Sequence, residues 1–322
     1  MIRHFDVGAK FYVGLASFLG TDCLKMKRIK QIAANMAAGG RYLDSRSHVL
    51  SGANNFRGGL VAVMVCLVCP LQTFGQTNDH AGEGINIARA QPIEVSWGRP
   101  RPIIDGLGWV LGTPEKLLYW NRRVNNHHVT DPTVGQVTDY LASRNLTDVK
   151  VRVNEYAPLD EWKRLVANKS ISPGWKYTFG TLTHLRYVLL PGRLIGGDEY
   201  NPYTNSVSLY SDVSTIGLAE SAYAYDIHHR SHPGTYAAFQ ELPFVAMWHE
   251  SLAKGEVLTY VTLQGDQQQM EEARRILYVR YGLQIGGNVA RVFPDGSLAF
   301  QVIGAATGHW YASQENAEYH VP

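Results

Sequence analysis

The hydrophobic pattern of the chain changes, near its middle, from a repeat of two residues to a repeat of three to four. Val149, Val151 and Val153 alternate with polar residues, which is typical of a half-buried strand. Aromatic, β-branched and aliphatic residues predict further strands over 175–181, 185–190 and 205–210. From about Asp212 onward the spacing predicts helices, over 213–227, 235–241, 243–263 and 266–281. A sheet followed by helices predicts an α+β fold.

Other helices are predicted on both sides of this central part. Thr113 and Asp131 are each followed by proline, and a capping side chain with proline at the first helical position is a signal for a helix start. The segment 158–167 also predicts a helix. A last apolar helix is predicted over 298–311, where the spacing of Gly304 and Gly308 would allow close helix packing.

A short apolar run over 60–71 follows Arg57, and the small residues Thr73 and Gly75 lie three and one places before the bond that follows Gly75. This pattern predicts a secretory signal peptide that is cut after Gly75. The run is too short to span a membrane comfortably. A buried core helix or a signal anchor is the alternative. The long stretch before Arg57 would fit a start of translation at Met26 or Met36, or an unusually long n-region.

These features predict three regions. Residues 1–76 are expected to be an N-terminal extension plus signal peptide, with the apolar segment at 58–75, so the protein would be exported to the periplasm, the cell envelope or the exterior. Residues 77–108 carry glycines and prolines with little periodicity and predict an extended leader. The folded domain is expected over 109–322, beginning near Trp109, and membrane contact is expected only through the N-terminal segment.

Charge and cysteine content exclude two classes of chemistry. The 30 basic and 28 acidic residues are scattered and leave a net charge of +2, without the basic block that tracks phosphates, so nucleic acid is not expected as a partner. The three cysteines, Cys23, Cys66 and Cys69, all lie in the first quarter. Beyond them there is no thiol nucleophile, disulfide or cysteine ligand, so any metal would need His, Asp or Glu.

Two glutamates lie on apolar faces of consecutive predicted helices. Residues three, four and seven positions from Glu220 and from Glu250 are mostly small or apolar, so both carboxylates are expected to point inward. Two buried carboxylates are costly unless a cation, a proton or a metal balances them. A structural ion pair with Arg186, Arg193 or His249 would be one solution.

Four segments of the chain resemble a known class of proteins: 196–205, 209–212, 218–226 and 248–253. The third segment includes Ala219-Glu220-Ser221-Ala222-Tyr223, and the fourth includes Trp248-His249-Glu250-Ser251. They resemble a group of uncharacterised exported bacterial proteins related to gluzincin-type zinc metallopeptidases. The resemblance implies a zincin-like fold, with a small mixed sheet whose edge strand precedes a helix bearing His-Glu-x-x-His. A glutamate on a following helix completes the zinc site in such proteins.

On this resemblance, Glu220 matches the general base and Glu250 the third zinc ligand. The two histidine positions hold Ala219 and Tyr223. Alanine has no ligand atom, and a tyrosine phenol is protonated at neutral pH and is a poor zinc ligand. This chain would therefore be a degenerate member of the group. No cofactor is expected, and zinc is expected only if the site is rebuilt.

Three histidines could substitute for the missing ligands: His228, His229 and His232. The first and last have the spacing of one helical turn, but Pro233 predicts that the helix stops near them. The resemblance therefore favours a binding or scaffold module without zinc catalysis, for which a peptide or an envelope protein would be a suitable partner. The alternatives are a hydrolase whose rebuilt metal site uses Glu220, Glu250 and these histidines, and metal-free acid–base hydrolysis by the two carboxylates.

Overall fold

The computed structural model describes residues 92–195, 197–240, 242–292 and 296–319. The predicted N-terminal extension, the signal peptide and the first part of the predicted leader, 77–91, lie outside the described residues.

The described residues form a small sheet and a larger set of helices, in agreement with the predicted α+β class. The strands are β1 Val95–Trp97, β2 Lys150–Val153, β3 Glu199–Asn201 and β4 Ser206–Leu209. The helices are α1 Pro102–Leu111, α2 Thr113–Leu118, α3 Asp131–Ser143, α4 Pro158–Ala167, α5 Thr181–Leu189, α6 Gly192–Ile195, α7 Ser214–His228, α8 Pro233–Phe239, α9 Pro243–Gln264, α10 Gln267–Val292 and α11 Ser297–Tyr319.

The sheet is mixed, with the strand order β1-β2-β4-β3. Strands β1, β2 and β4 run parallel, and Val151 is aligned with Val95 on one side and with Val207 on the other. Strand β3 pairs antiparallel with β4 and forms one edge. The chain then enters α7, so the edge strand and the helix with Glu220 are close in sequence and in space.

Both faces of β2 are buried, which corrects the prediction of a half-buried strand. Val151 and Val153 join Val207 and Leu209 in the main apolar core. On the opposite face, Arg152 is completely buried. Its guanidinium forms ion pairs with carboxylates that follow β2 or begin α4, which are Glu155, Asp160 and Glu161. A polar face can be buried when its charges are paired in this way.

The predicted strands at 175–181 and 185–190 are wrong, because this segment is helical. A helical turn, Pro173–Trp175, leads into a π-helical turn, Lys176–Gly180, and then into α5. Aromatic and β-branched residues favour strands only where a pleated surface is available for packing. Here the segment packs on α4, and the Lys176 ammonium donates to the Val166 carbonyl at the end of that helix.

The folded part begins earlier than the predicted boundary at Trp109. Residues 95–97 form β1 of the sheet, and α1 begins at Pro102, so this part of the predicted leader belongs to the domain. A strand of three residues is too short to show a periodic pattern. The same reason explains why β3 was not predicted.

The other predicted helices are present, but Thr113 and Asp131 are the first helical residues and not capping residues, and α11 continues to Tyr319, beyond the predicted end at 311. Helix α9 ends where Gly265 adopts a left-handed backbone with φ of 74°, as expected for a helix terminator. Helices α10 and α11 pack so closely that a Cβ on Gly304 would overlap the carbonyl of Gly282. This confirms the predicted packing role of Gly304. Helix α10 continues beyond the predicted end at 281. Among the described helices, none combines the length and apolar character needed to cross a membrane.

Candidate functional site

Glu220 and Glu250 converge on one guanidinium group, that of Arg280. The Nη2 atom of Arg280 lies 2.6 Å from Glu220 Oε1, and its Nε atom lies 2.6 Å from Glu250 Oε1. The other oxygen of Glu220 accepts a hydrogen bond of 2.8 Å from the backbone N–H of Tyr200 on β3. Both glutamates are buried, at 3% and 8% exposure, which confirms that they point inward.

Small residues on three helices allow this convergence. Ala219 and Ala222 on α7, Ala253 on α9 and Ala273 on α10 belong to one buried cluster where these helices meet. Because alanine side chains are short, the helix axes can approach closely. Longer side chains on the same faces, including both carboxylates and the guanidinium, then reach across the junction.

The charges in this cluster modify one another. Burial raises the pKa of Glu220, although the Arg280 guanidinium and the Tyr200 N–H oppose this change. Burial alone would lower the pKa of Arg280, but Glu250 and Glu220 outweigh it and hold that pKa well above its usual value. Arg280 is thus a permanent cation between two acceptors. The Glu220–Arg280–Glu250 group will be called the Arg280 cluster.

The predicted ion-pair partners of the glutamates are bound elsewhere. Arg186 pairs with Glu199, and Arg193 pairs with Asp105. A structural ion pair was a correct expectation, but these two arginines were the wrong candidates.

Sequence reasoning missed Arg280, although a signal for it was present. Ala273 and Leu277 precede Arg280 by seven and three residues, so all three share one helix face, and the first two are completely buried. The spacing argument that selected the two glutamates would also have selected this arginine.

His249 takes part in a different polar group. Its Nδ1 lies 3.1 Å from Asp226 Oδ2 and 3.0 Å from the Tyr236 hydroxyl. Its Nε2 is buried and has no hydrogen-bond partner among the described residues. His249 is therefore a neighbour of Glu250 in sequence but not its ion-pair partner.

The two positions that would hold zinc-binding histidines serve packing. Ala219 is buried among Leu218, Ala253 and their neighbours. The ring of Tyr223 contacts the ring of Tyr200 edge-on, and its centroid lies 4.0 Å from that of His249.

The three candidate substitute histidines do not join the Arg280 cluster. Helix α7 ends at His228, as Pro233 predicts, and His228 contacts Asp148, with 3.4 Å between Nε2 and Oδ2. His229 Nδ1 contacts the Tyr225 carbonyl at 2.8 Å, and His232 precedes α8. Along the helix axis, His228 lies about 12 Å from Glu220.

No group of three or more His, Cys, Asp or Glu side chains is positioned to hold a metal within the part of the chain that the structure describes. In the Arg280 cluster, both carboxylates are already engaged by a cation. In this arrangement the Arg280 cluster joins the helices α7, α9 and α10 and the edge strand β3 through charged hydrogen bonds.

Comparison with known proteins gives no match: no family model matches the chain, nor does any curated protein or solved structure. The function is therefore inferred from the chemistry of the site.

Proposed function

We propose that this chain is a metallopeptidase-like protein in which the Arg280 guanidinium stands where a metal ion would bind. It acts as a binding or scaffold module without zinc-dependent catalysis. The observation that carries this proposal is the pair of 2.6 Å contacts from Arg280 to Glu220 and Glu250. These glutamates are the two that the resemblance assigns to the general base and the third zinc ligand.

The order of the elements supports a zincin-like frame. The antiparallel edge strand β3 precedes α7, which carries Glu220, and α9 with Glu250 follows. This is the arrangement that the resemblance implies: an edge strand, a helix with the base and a helix with the third ligand. The hydrogen bond from Tyr200 of β3 to Glu220 links the strand directly to the base position.

Arg280 would oppose metal binding at this site. A divalent cation would have to displace the guanidinium, whose side chain is only 22% exposed, and leave it without its two partners. Zinc sites in enzymes usually have three protein ligands. Here the two positions assigned to histidine ligands hold Ala219 and Tyr223, so they would not supply the missing ligands. The resident cation therefore replaces the metal's charge without its Lewis acidity.

A stable junction of this kind suits a protein whose task is binding. The guanidinium satisfies the two carboxylates and fixes α7, α9 and α10 relative to one another. If the segment 58–75 directs export, as its pattern predicts, a peptide or an envelope protein is the class of partner that such a module would meet.

The test is the metal content and peptidase activity of the purified full-length protein after exposure to excess zinc and removal of unbound metal. The proposal expects no stoichiometric zinc and no cleavage of a mixed peptide library. One metal per chain that is lost in Glu250→Ala but retained in Glu256→Ala, a control on the same helix, would favour the hydrolase with a rebuilt site.

A further inference from the structure

A cleft lies on the polar face of the sheet. Side chains of β3 and β4 form its floor, and α5, α6 and Gly197 form its walls. The cavity has a volume of about 210 Å³. Sites for drug-sized molecules begin at roughly 300 Å³. The cleft therefore has room for one small ring-shaped ligand.

The strand register makes the floor of the cleft polar. Ser208 is aligned with Glu199 of β3, and Ser206 is aligned with Asn201. Alternate residues of a strand point to the same face, so these side chains share the face opposite the apolar core. A sheet face that helices cover is ordinarily apolar. Polar residues at such a position indicate a role in binding rather than in packing.

Three polar groups at the floor have hydrogen-bonding capacity to spare. Glu161 is only 3% exposed, and its Oε1 accepts a hydrogen bond of 2.9 Å from Ser206 and pairs with Arg152. Its other oxygen, the Ser208 hydroxyl and the Asn201 amide nitrogen have no hydrogen-bond partner in the described part of the chain. The floor therefore offers both donors and acceptors to a ligand.

The carboxylates around the cleft already have cationic partners. Glu161 pairs with Arg152, and Arg186 forms an exposed ion pair with Glu199 at the rim. The chemistry of the site therefore does not call for a charged ligand. The ring of Tyr187 lies in the wall and adds an apolar surface beside the polar floor.

We propose that this cleft binds a neutral sugar, as a single ring with several hydroxyl groups. Such a ligand carries donors and acceptors along its edge, and its C–H face can pack on the Tyr187 ring. A purely apolar ring would leave the free oxygen of Glu161 without a donor. Helix α7 packs on the opposite face of the sheet, so this proposal does not rest on the proposed role of Arg280.

The test is ligand-observed NMR on the full-length protein with glucose, galactose, mannose and N-acetylglucosamine. Cyclohexanol, a ring of similar size with a single hydroxyl group, and cyclohexylamine, its cationic counterpart, are the comparison ligands. The variant Ser208→Leu fills the floor of the cleft. Ser172→Leu makes the same change at an exposed serine outside the cleft and is the matched control.

We expect at least one of the sugars to bind with a Kd of about 1 mM or below, as a ligand of this size allows. Ser208→Leu should weaken this binding about ten-fold or more, whereas Ser172→Leu should bind like the wild type. Arg186→Gln changes only an exposed residue of the rim and should weaken binding about three-fold. It remains informative if circular dichroism shows that Ser208→Leu is unfolded.

Three results would overturn the proposal. The first is that none of the sugars binds. The second is that a folded Ser208→Leu variant, or Arg186→Gln if the former is unfolded, binds the sugar as well as the wild type does. The third is tighter binding of cyclohexanol or cyclohexylamine than of every sugar, because the cleft would then select an apolar or a cationic ring.

Discussion

At the residue scale, Arg280 is the group on which the site depends. It balances two carboxylates that the surrounding helices keep away from water, and it does so from a third helix. A buried ion pair contributes little compared with a well-packed apolar replacement, but removal of one partner leaves the other charges uncompensated. The loss of Arg280 is therefore more damaging than the loss of an exposed arginine.

Arg280→Met should lower the free energy of unfolding by about 3 kcal/mol, because it leaves Glu220 and Glu250 facing each other without a cation. Chemical denaturation measures this change. Arg275→Met is the matched control, since Arg275 is exposed on the same helix, and its effect should be within about 0.5 kcal/mol. Adding Glu220→Gln and Glu250→Gln to Arg280→Met should recover part of the loss. Equal effects of the two arginine variants would contradict a structural role for the cluster.

His127 should make the protein sensitive to acid. Both of its ring nitrogens are buried without hydrogen-bond partners among the described residues, and burial lowers the pKa of the imidazole from its ordinary value of 6.5. The unfolded chain therefore takes up this proton more readily than the folded chain. The contribution of the neutral, buried His127 to the stability of the fold is complete above pH 6.5. It is lost as the pH falls toward the lower pKa of this imidazole in the folded state.

Thermal unfolding at a series of pH values tests this. His127→Asn should reduce the loss of stability below pH 6.5, and asparagine tolerates the φ of 55° found at this position. His128→Asn, at the exposed neighbouring position, should keep the wild-type dependence. The wild-type and His127→Asn curves should thus converge in acid, and parallel curves would rule out this histidine as the source.

At the element scale, α7 and α9 were predicted well, whereas the ends of α10 and α11 and the short or context-dependent segments were not. Helices α7 and α9 begin and end within one or two residues of their predicted limits, because many apolar positions repeat along them. The segment from Pro173 to Leu189 has strand-like composition, yet its packing on α4 makes it helical. Strands β1 and β3 have only three residues each and offer no pattern.

The inward direction of Glu220, Glu250 and Arg280 could be predicted from the same periodicity, but the convergence of these three side chains could not. Arg280 lies 30 residues after Glu250, and only the packing of α10 on α7 and α9 brings the three groups together. Sequence spacing describes which face of a helix is buried, whereas the pairing of faces is decided by tertiary contacts.

The pairing of α10 with α11 depends on glycine at the crossing. Gly304→Ala should destabilise the protein by about 2 kcal/mol, because the added methyl group would overlap the Gly282 carbonyl and force the helices apart. Gly287→Ala is the matched control on α10, where a Cβ meets nothing within 4 Å. That change should be neutral or stabilise by up to about 1 kcal/mol. Denaturant midpoints measure both, and similar destabilisation by the two variants would contradict the close crossing.

At the scale of the whole molecule, Arg152 and Arg280 each neutralise carboxylates, in two different parts of the described fold. Arg152 neutralises the carboxylates on the polar face of the sheet, and Arg280 neutralises those between the long helices. Both groups pair an arginine with more than one carboxylate, so each joins several elements through charged contacts.

The central claim is that Arg280 stands where a metal would bind in a metallopeptidase-like frame. The most direct test is a zinc titration by calorimetry of two folded variants. Ala219→His/Tyr223→His introduces histidine at the two positions that the resemblance assigns to zinc ligands and keeps Arg280, whereas a second variant adds Arg280→Gln. We predict one zinc per chain in the triple variant and much weaker binding in the double variant. A folded triple variant that binds no zinc, or a double variant that binds it equally well, would contradict the claim.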